Sequence, residues 1–306
     1  MQKKLIETFS VFLVCGLTVL FLTLALLDAT LLQTIYDISI HPNPVAHFQP
    51  SQYPLLTTKR VPYTSATSAI IMDADSHVFV YQKNTDLRLS PASTTKIMTA
   101  LIALSFFHPS ETLTVKNIID TQGSGLGLTV GEKFTFENLL KGALILSAND
   151  AASTIAQNYP GGEKAFVAAM NEHAKALHLW NTHFGDPDGL DDNQDYTTAQ
   201  DLVRLASITM QNPLFASIVK TKTATITDIT DKNTYSFDNR NILLGYDGIN
   251  GIKTGFTDEA GEVLATSAVI NDHTFYIIVM KSQDRFADTQ ALLPMLHHIT
   301  FLSMHP

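Results

Sequence analysis

The chain has 306 residues, 45% of them hydrophobic and 16% charged, which suits one medium globular domain plus apolar sequence outside it. A formal net charge of -9 argues against a nucleic-acid binder, which would carry a basic face. The single cysteine, Cys15, excludes an intrachain disulfide and a cysteine-based metal site.

Lys3 and Lys4 precede an uncharged apolar run from Phe9 to Leu27. Roughly 20 apolar residues suffice to cross the hydrocarbon core as a helix. Residues 1–35 therefore read as a single-pass anchor, with the lysines inside the cell and the remainder outside the membrane. A cleaved signal peptide is the alternative, although Leu27-Asp28-Ala29 is a poor cleavage site because Leu27 is large. Val14 is too bulky for Cys15 to resemble a lipidation site. Residues 36–62 contain Pro42, Pro44, Pro50, Pro54 and Pro62 and read as a semi-extended linker rather than a folded element.

The folded domain is expected over residues 63–306. Residues 68–84 alternate as two strands around a turn at Asp73–Ser76. Pro91 suits the first turn of a helix through residues 91–107. Residues 136–158 read as two helical segments meeting near Ser147, and residues 163–179 have apolar positions at helical spacing. Another helix follows over 197–210, with Thr197 or Thr198 as its cap. Three strands are predicted at 248–257, 262–270 and 273–281, with a turn at Asn271-Asp272. A last helix over 288–298 is limited by Pro294. Strands at both ends and helices between them predict an α+β fold, with an antiparallel sheet formed from both chain ends and an inserted helical region.

Three short motifs occur in order: Ser93-Thr94-Thr95-Lys96, Ser147-Ala148-Asn149 and Lys253-Thr254-Gly255. Each alone is weak, and a second Ser-x-x-Lys string at Ser217–Lys220 shows how easily one arises. Together their order and spacing carry meaning. Ser93 and Lys96 share a helix face, which pairs a nucleophile with a base once burial favours the neutral amine. Ser147 and Asn149 face one pocket only where the helix breaks. There Ser147 suits a proton relay, and Asn149 suits a substrate amide. Asp150 reads as a cap for the next helix. Lys253 and Thr254 offer a charge and a hydroxyl to a carboxylate, and Gly255 lets a peptide backbone approach. The N–H groups of Ser93 and Phe256 are the expected oxyanion donors.

The motif trio resembles penicillin-binding proteins and class A β-lactamases. The strings PASTTKIMTALIAL, LILSANDAA, NTHFGDPDGL, YTTAQDL and GIKTGFTDEAG resemble the low-molecular-mass serine D-alanyl-D-alanine carboxypeptidases, peptidase family S11, over roughly Ser65 to His298. The resemblance implies a β-lactamase/transpeptidase-like fold and acylation of Ser93 by a peptidoglycan stem peptide. The terminal D-alanine then leaves, and water hydrolyses the acyl-enzyme. It implies covalent inhibition by β-lactam antibiotics and no cofactor. It also implies a structural turn for the segment containing Asp186 and Asp188; Asp191 and Asp192 follow.

No Glu-x-x-x-Asn string occurs, so a class A β-lactamase is disfavoured. No His-Glu-x-x-His occurs, and the adjacent His297 and His298 read as tail residues, so no metal site is expected. A D,D-endopeptidase would use the same motifs. A non-catalytic β-lactam or cell-wall binding module is the remaining alternative; the presence of Ser93, Lys96 and Ser147 favours an enzyme.

Overall fold

The computed structural model describes residues 52–58, 60–117, 123–190 and 195–303. The expected anchor, Cys15, most of the linker, Asp191 and Asp192 lie outside the described residues.

The described chain opens with strand β1 (Gln52–Leu56), then β2 (Ser68–Asp73) and β3 (Phe79–Lys83). A 3-10 turn at Ala92–Thr95 runs directly into helix α1 (Lys96–Phe106). The hairpin of β4 (Thr112–Thr114) and β5 (Lys133–Thr135) leads into α2 (Phe136–Lys141) and a π turn at Gly142–Leu146. Helices α3 (Asn149–Asn158), α4 (Gly162–Ala176), α5 (Ala199–Met210) and α6 (Pro213–Val219) complete the helical region. A second hairpin, β6 (Thr223–Thr227) and β7 (Thr234–Asp238), precedes the long strands β8 (Ile249–Thr257), β9 (Gly261–Ile270) and β10 (His273–Ser282). Helix α7 (Arg285–Leu296) and strand β11 (Ile299–Ser303) close the described chain.

The main sheet has the order β3–β2–β10–β9–β8 and is antiparallel throughout, so both chain ends build it as expected. Side chains alternate across it, as the two-residue period of a strand requires. Ile70, Met72, Val263, Ala265, Ile278 and Met280 join the core shared with the helical region. Ile71, Leu264, Ile277 and Val279 face the other way, onto Leu292, Leu293 and Leu296 of α7. Each such valine, leucine, isoleucine or methionine side chain stabilises the fold by about 1.5–3 kcal/mol through removal from water.

Local signals explain several boundaries. Thr198 caps α5 by accepting from Asp201 N at 3.0 Å. Asn271 and Asp272 both adopt left-handed backbone, with φ of 50° and 66°, which suits the two-residue β9–β10 turn. Asp288, in the first turn of α7, accepts from the N–H groups of Ser65 and Ala66, each at 2.7 Å. It also accepts from the Ser282 hydroxyl, so one buried carboxylate fastens the two ends of the domain together.

One expectation needs correction. The linker over 36–62 contains a real strand, because β1 pairs antiparallel with β11 from Gln52↔Ser303 to Leu56↔Ile299. Pro54 is tolerated there since, among the described residues, the strand pairs along one edge only, and the other takes the missing N–H. The residues after α7, for which no element is predicted from the sequence, form the partner strand. The two segments lie at opposite ends of the sequence, so neither alone shows a partner. The Ser217 motif, by contrast, is structural as expected: its hydroxyl donates to Leu214 O within α6.

Candidate active site

The first element of the site is the 3-10 turn. Pro91 precedes it and Ala92 holds a left-handed φ of 46°, a strained value for a residue with a Cβ. Two glycines clamp this fully buried alanine. A Cβ on Gly189 would lie 2.0 Å from Ala92 O, and one on Gly255 would lie 3.0 Å from Ala92 Cβ. Gly255 thus brings the edge strand β8 directly against the backbone of Ser93.

Lys96 starts α1 one turn after Ser93 and is 1% exposed. Its Nζ donates to Ser93 Oγ at 2.9 Å, Asn149 Oδ1 at 2.7 Å and Asp188 O at 2.6 Å. Three acceptors match the three protons of an ammonium. Burial nevertheless pushes the Lys96 pKa down to about 8, against the opposing charges of Asp188, Asp186 and Asp150. Burial likewise pushes the Asp188 carboxyl up to about 7, with the Lys96 charge opposing.

The second element is the helix break. The π turn ends at Ser147, whose φ of 67° and ψ of 29° are left-handed. That conformation turns the chain so that both Ser147 and Asn149 line the cleft, as their spacing required. Asn149 spends its oxygen on Lys96. Asp150 is not the cap that the sequence suggested: the cap position is Ala148, and Asp150 lies inside the first turn of α3. Its carboxylate accepts from the N–H groups of Leu126, Gly127 and Leu128, holding the loop that forms one wall.

The segment containing Asp186 is the turn expected of it, since Asp186 accepts from the N–H groups of Asp188, Gly189 and Leu190. Its contact with the amine of Lys96 through Asp188 O was not legible in the sequence.

Between these elements lies a cleft of about 270 Å³, lined by Ser93, Ser147, Asn149, Thr254, Gly255 and Phe256 among others. Seven of the eight predicted residues therefore meet either the cleft or the Ser93–Lys96 pair. Lys253 is the exception. It is 1% exposed, does not line the cleft, and donates to Thr254 O at 2.9 Å. Burial, then the charges of Lys96, Arg285 and Arg240, push its pKa well below the ordinary value. It is not the open positive charge that the motif suggested.

Two of the chain's five arginines, Arg240 and Arg285, line the cleft and border it with positive charge. Arg285 Nη1 donates to Gly255 O at 2.7 Å, fixing the guanidinium beside β8. Arg240 Nε reaches Leu146 O at 3.4 Å, at the end of the π turn. Neither arginine belongs to a motif in the sequence; only the need for a forked donor to a carboxylate could have singled them out.

A family model described as D-alanyl-D-alanine carboxypeptidase matches residues 56–284. A D-alanyl-D-alanine carboxypeptidase of Bacillus subtilis is 33% identical over 229 residues, covering 72% of this chain and 59% of that protein. A D-alanyl-D-alanine endopeptidase of Pseudomonas aeruginosa is 34% identical over 233 residues, covering 74% of this chain and 75% of that protein. The crystal structure of a Streptomyces DD-transpeptidase superposes with a TM-score of 0.73 at 32% identity, covering 78% of this chain and 98% of that one.

Proposed function

This chain belongs to the D-alanyl-D-alanine carboxypeptidase family of serine peptidases, and on that premise we propose that it removes terminal D-alanine from peptidoglycan stem peptides through an acyl-enzyme on Ser93. The observation that carries the proposal is the 2.9 Å contact between Lys96 Nζ and Ser93 Oγ inside a cleft bordered by two arginines.

The roles follow from chemistry. The substrate's terminal carboxylate meets Arg285 and Arg240, where forked donors suit it. Its penultimate carbonyl then lies over Ser93, with the N–H groups of Ser93 and Phe256 as oxyanion donors. Neutral Lys96 takes the Ser93 proton as Oγ attacks. Ser147 passes a proton to the departing amine of D-alanine. Thr254 and Asn149 hold the peptide, and water then cleaves the ester. Lys253 acts from the inner face of β8, beside Lys96 and on the side of Gly255 and the nucleophile turn, and not as an open carboxylate ligand.

β-Lactams, which mimic the D-alanyl-D-alanine end, acylate the same serine. Their release is slow because the sequence offers no Glu-x-x-x-Asn string to activate water.

We place this domain outside the membrane, tethered by the apolar run Phe9–Leu27 with Lys3 and Lys4 on the cytoplasmic side. The support is the sequence itself. Among the described residues no single helix is long and apolar enough to cross a membrane.

The test is D-alanine release from a stem pentapeptide by the full chain, beside Ser93→Ala. Many turnovers by the native chain and none by the variant are expected. Undiminished release by Ser93→Ala would remove the assignment.

A further inference from the structure

The ribbon of β1 and β11 has two unlike faces, because its side chains alternate from one side to the other. Leu56, Ile299 and Phe301 pack against the aliphatic cluster around α7, and Pro54, opposite Phe301, is buried on the same side. The other face carries Tyr53, Leu55 and Leu302, which are 40%, 46% and 47% exposed. Tyr53 lies directly across from Leu302 in the register, and Leu55 is two residues along from Tyr53, so the three form one patch. The outer face of an antiparallel pair is ordinarily polar.

The surface next to the ribbon has a related character. Thr57 N and Oγ1 donate to His298 O at 2.8 and 2.7 Å, closing the ribbon's end. A cavity of about 520 Å³ follows there, lined by Thr58, Arg60, Tyr63, Pro294, Met295 and His298 among others. None of its described lining residues is acidic, in a chain whose net charge is -9. Tyr63 is 88% exposed, and Val61 is also exposed. Aliphatic and tyrosine side chains beside an arginine suit a lipid surface. The apolar parts enter the acyl boundary, the ring hydroxyls stay among the headgroups, and the guanidinium meets phosphate.

Position in the chain selects the occupant. Only residues 28–51 separate the end of the apolar run from β1, so the ribbon is the part of the described domain that the tether reaches first.

We propose that the outer face of the β1–β11 ribbon docks on the phospholipid bilayer, with Tyr53, Leu55 and Leu302 at the headgroup–acyl boundary and Arg60 on a lipid phosphate. This rests on the tether read above, which holds the ribbon at high local concentration over the membrane. A tether alone leaves the domain free to turn, whereas a second contact fixes its orientation. The ribbon packs on the α7 side of the main sheet, and the turn carrying Ser93 packs on the side of the helical region. Docking by the ribbon therefore keeps the reaction cleft off the lipid.

The experiment places the full chain in vesicles of phosphatidylethanolamine and phosphatidylglycerol whose acyl chains carry bromine near the headgroup. Tyr53→Trp is combined with Trp180→Phe, which leaves one tryptophan in the chain. Its emission is expected to be quenched by the brominated lipid. Adding Leu55→Ser and Leu302→Ser should abolish the quenching, and Leu55→Ser alone should weaken it. Thermal unfolding of these variants should match their parent, because the replaced side chains stand on the open face. A Tyr53→Trp chain that survives alkaline washing of the vesicles but is not quenched would overturn the docking and leave the tether standing. A chain that alkali removes would overturn the tether, while its quenching before the wash still decides the docking. Quenching that persists with both serines would overturn the role of the patch. So would a dimer in detergent that the two serines dissociate, since the face would then be a contact between copies.

Discussion

The amine of Lys96 and the side-chain oxygen of Asn149 lie 2.7 Å apart, joining the first helix of the site to the helix break that carries Ser147. The contact makes Asn149 part of the base's surroundings as well as of the cleft wall. Removing the oxygen leaves a buried donor unmet, at about 1–3 kcal/mol. Asn149→Asp adds a negative charge that favours the protonated amine. Penicillin acylation at pH 7, followed by stopped-flow, is expected to slow by about tenfold or more in Asn149→Asp. An unchanged rate would show that Lys96 is not the base.

The pH dependence follows from the lysine. With its pKa pushed down to about 8, Lys96 loses its proton as pH rises through that value. The acylation rate should therefore climb from pH 6 and level off above about pH 9. The charge of Asp188 is the largest influence opposing the shift, so Asp188→Asn should move the rising limb to lower pH. Stability has a matching sign. The unfolded chain holds the Lys96 proton up to about 10.5, so this group makes unfolding harder as pH rises from about 8 to 10.5. Rate profiles of the native chain and Asp188→Asn, measured on one β-lactam, check the first two points.

Lys253 should matter to the fold. Its full burial means that Lys253→Ala leaves a cavity between β8 and the helical region, at a cost of about 2 kcal/mol or more. Lys253→Met fills the same space without a charge and is expected to melt at or above the native temperature. Thermal unfolding of the two variants separates this from a surface role, in which both would melt like the native chain.

This lysine also marks where sequence reasoning reached its limit. The Lys253-Thr254-Gly255 string correctly located a strand beside the nucleophile, because Gly255 is needed for the close approach to Ser93. How deeply each side chain of that strand is covered depends on the elements packed over it, which a single string does not contain. The helix break at Ser147 was legible because two residues of one site cannot lie two apart on a helix. The central sheet was legible because its strands are long and apolar. Arg240, Arg285 and the β1–β11 pair were not, since each acquires its role from partners distant in the chain.

Gly189 offers a steric test. Its φ is 78°, and a Cβ there would overlap Ala92 O at 2.0 Å. Gly189→Ala must displace either the turn that carries Asp188 or the turn that carries Ser93. Strain and displacement together should cost about 2 kcal/mol or more. Penicillin labelling should slow more than about a hundredfold, since a misplacement near 1 Å is that costly at a reacting centre. Native labelling and melting in this variant would contradict the clamp.

The most direct measurement is the mass of the full chain after brief exposure to penicillin, followed by peptide mapping. One adduct per chain is expected, on the peptide containing Ser93, and none in Ser93→Ala. An adduct that persists in Ser93→Ala, or maps to Ser147 or Ser217, would contradict the assignment of Ser93 as the nucleophile.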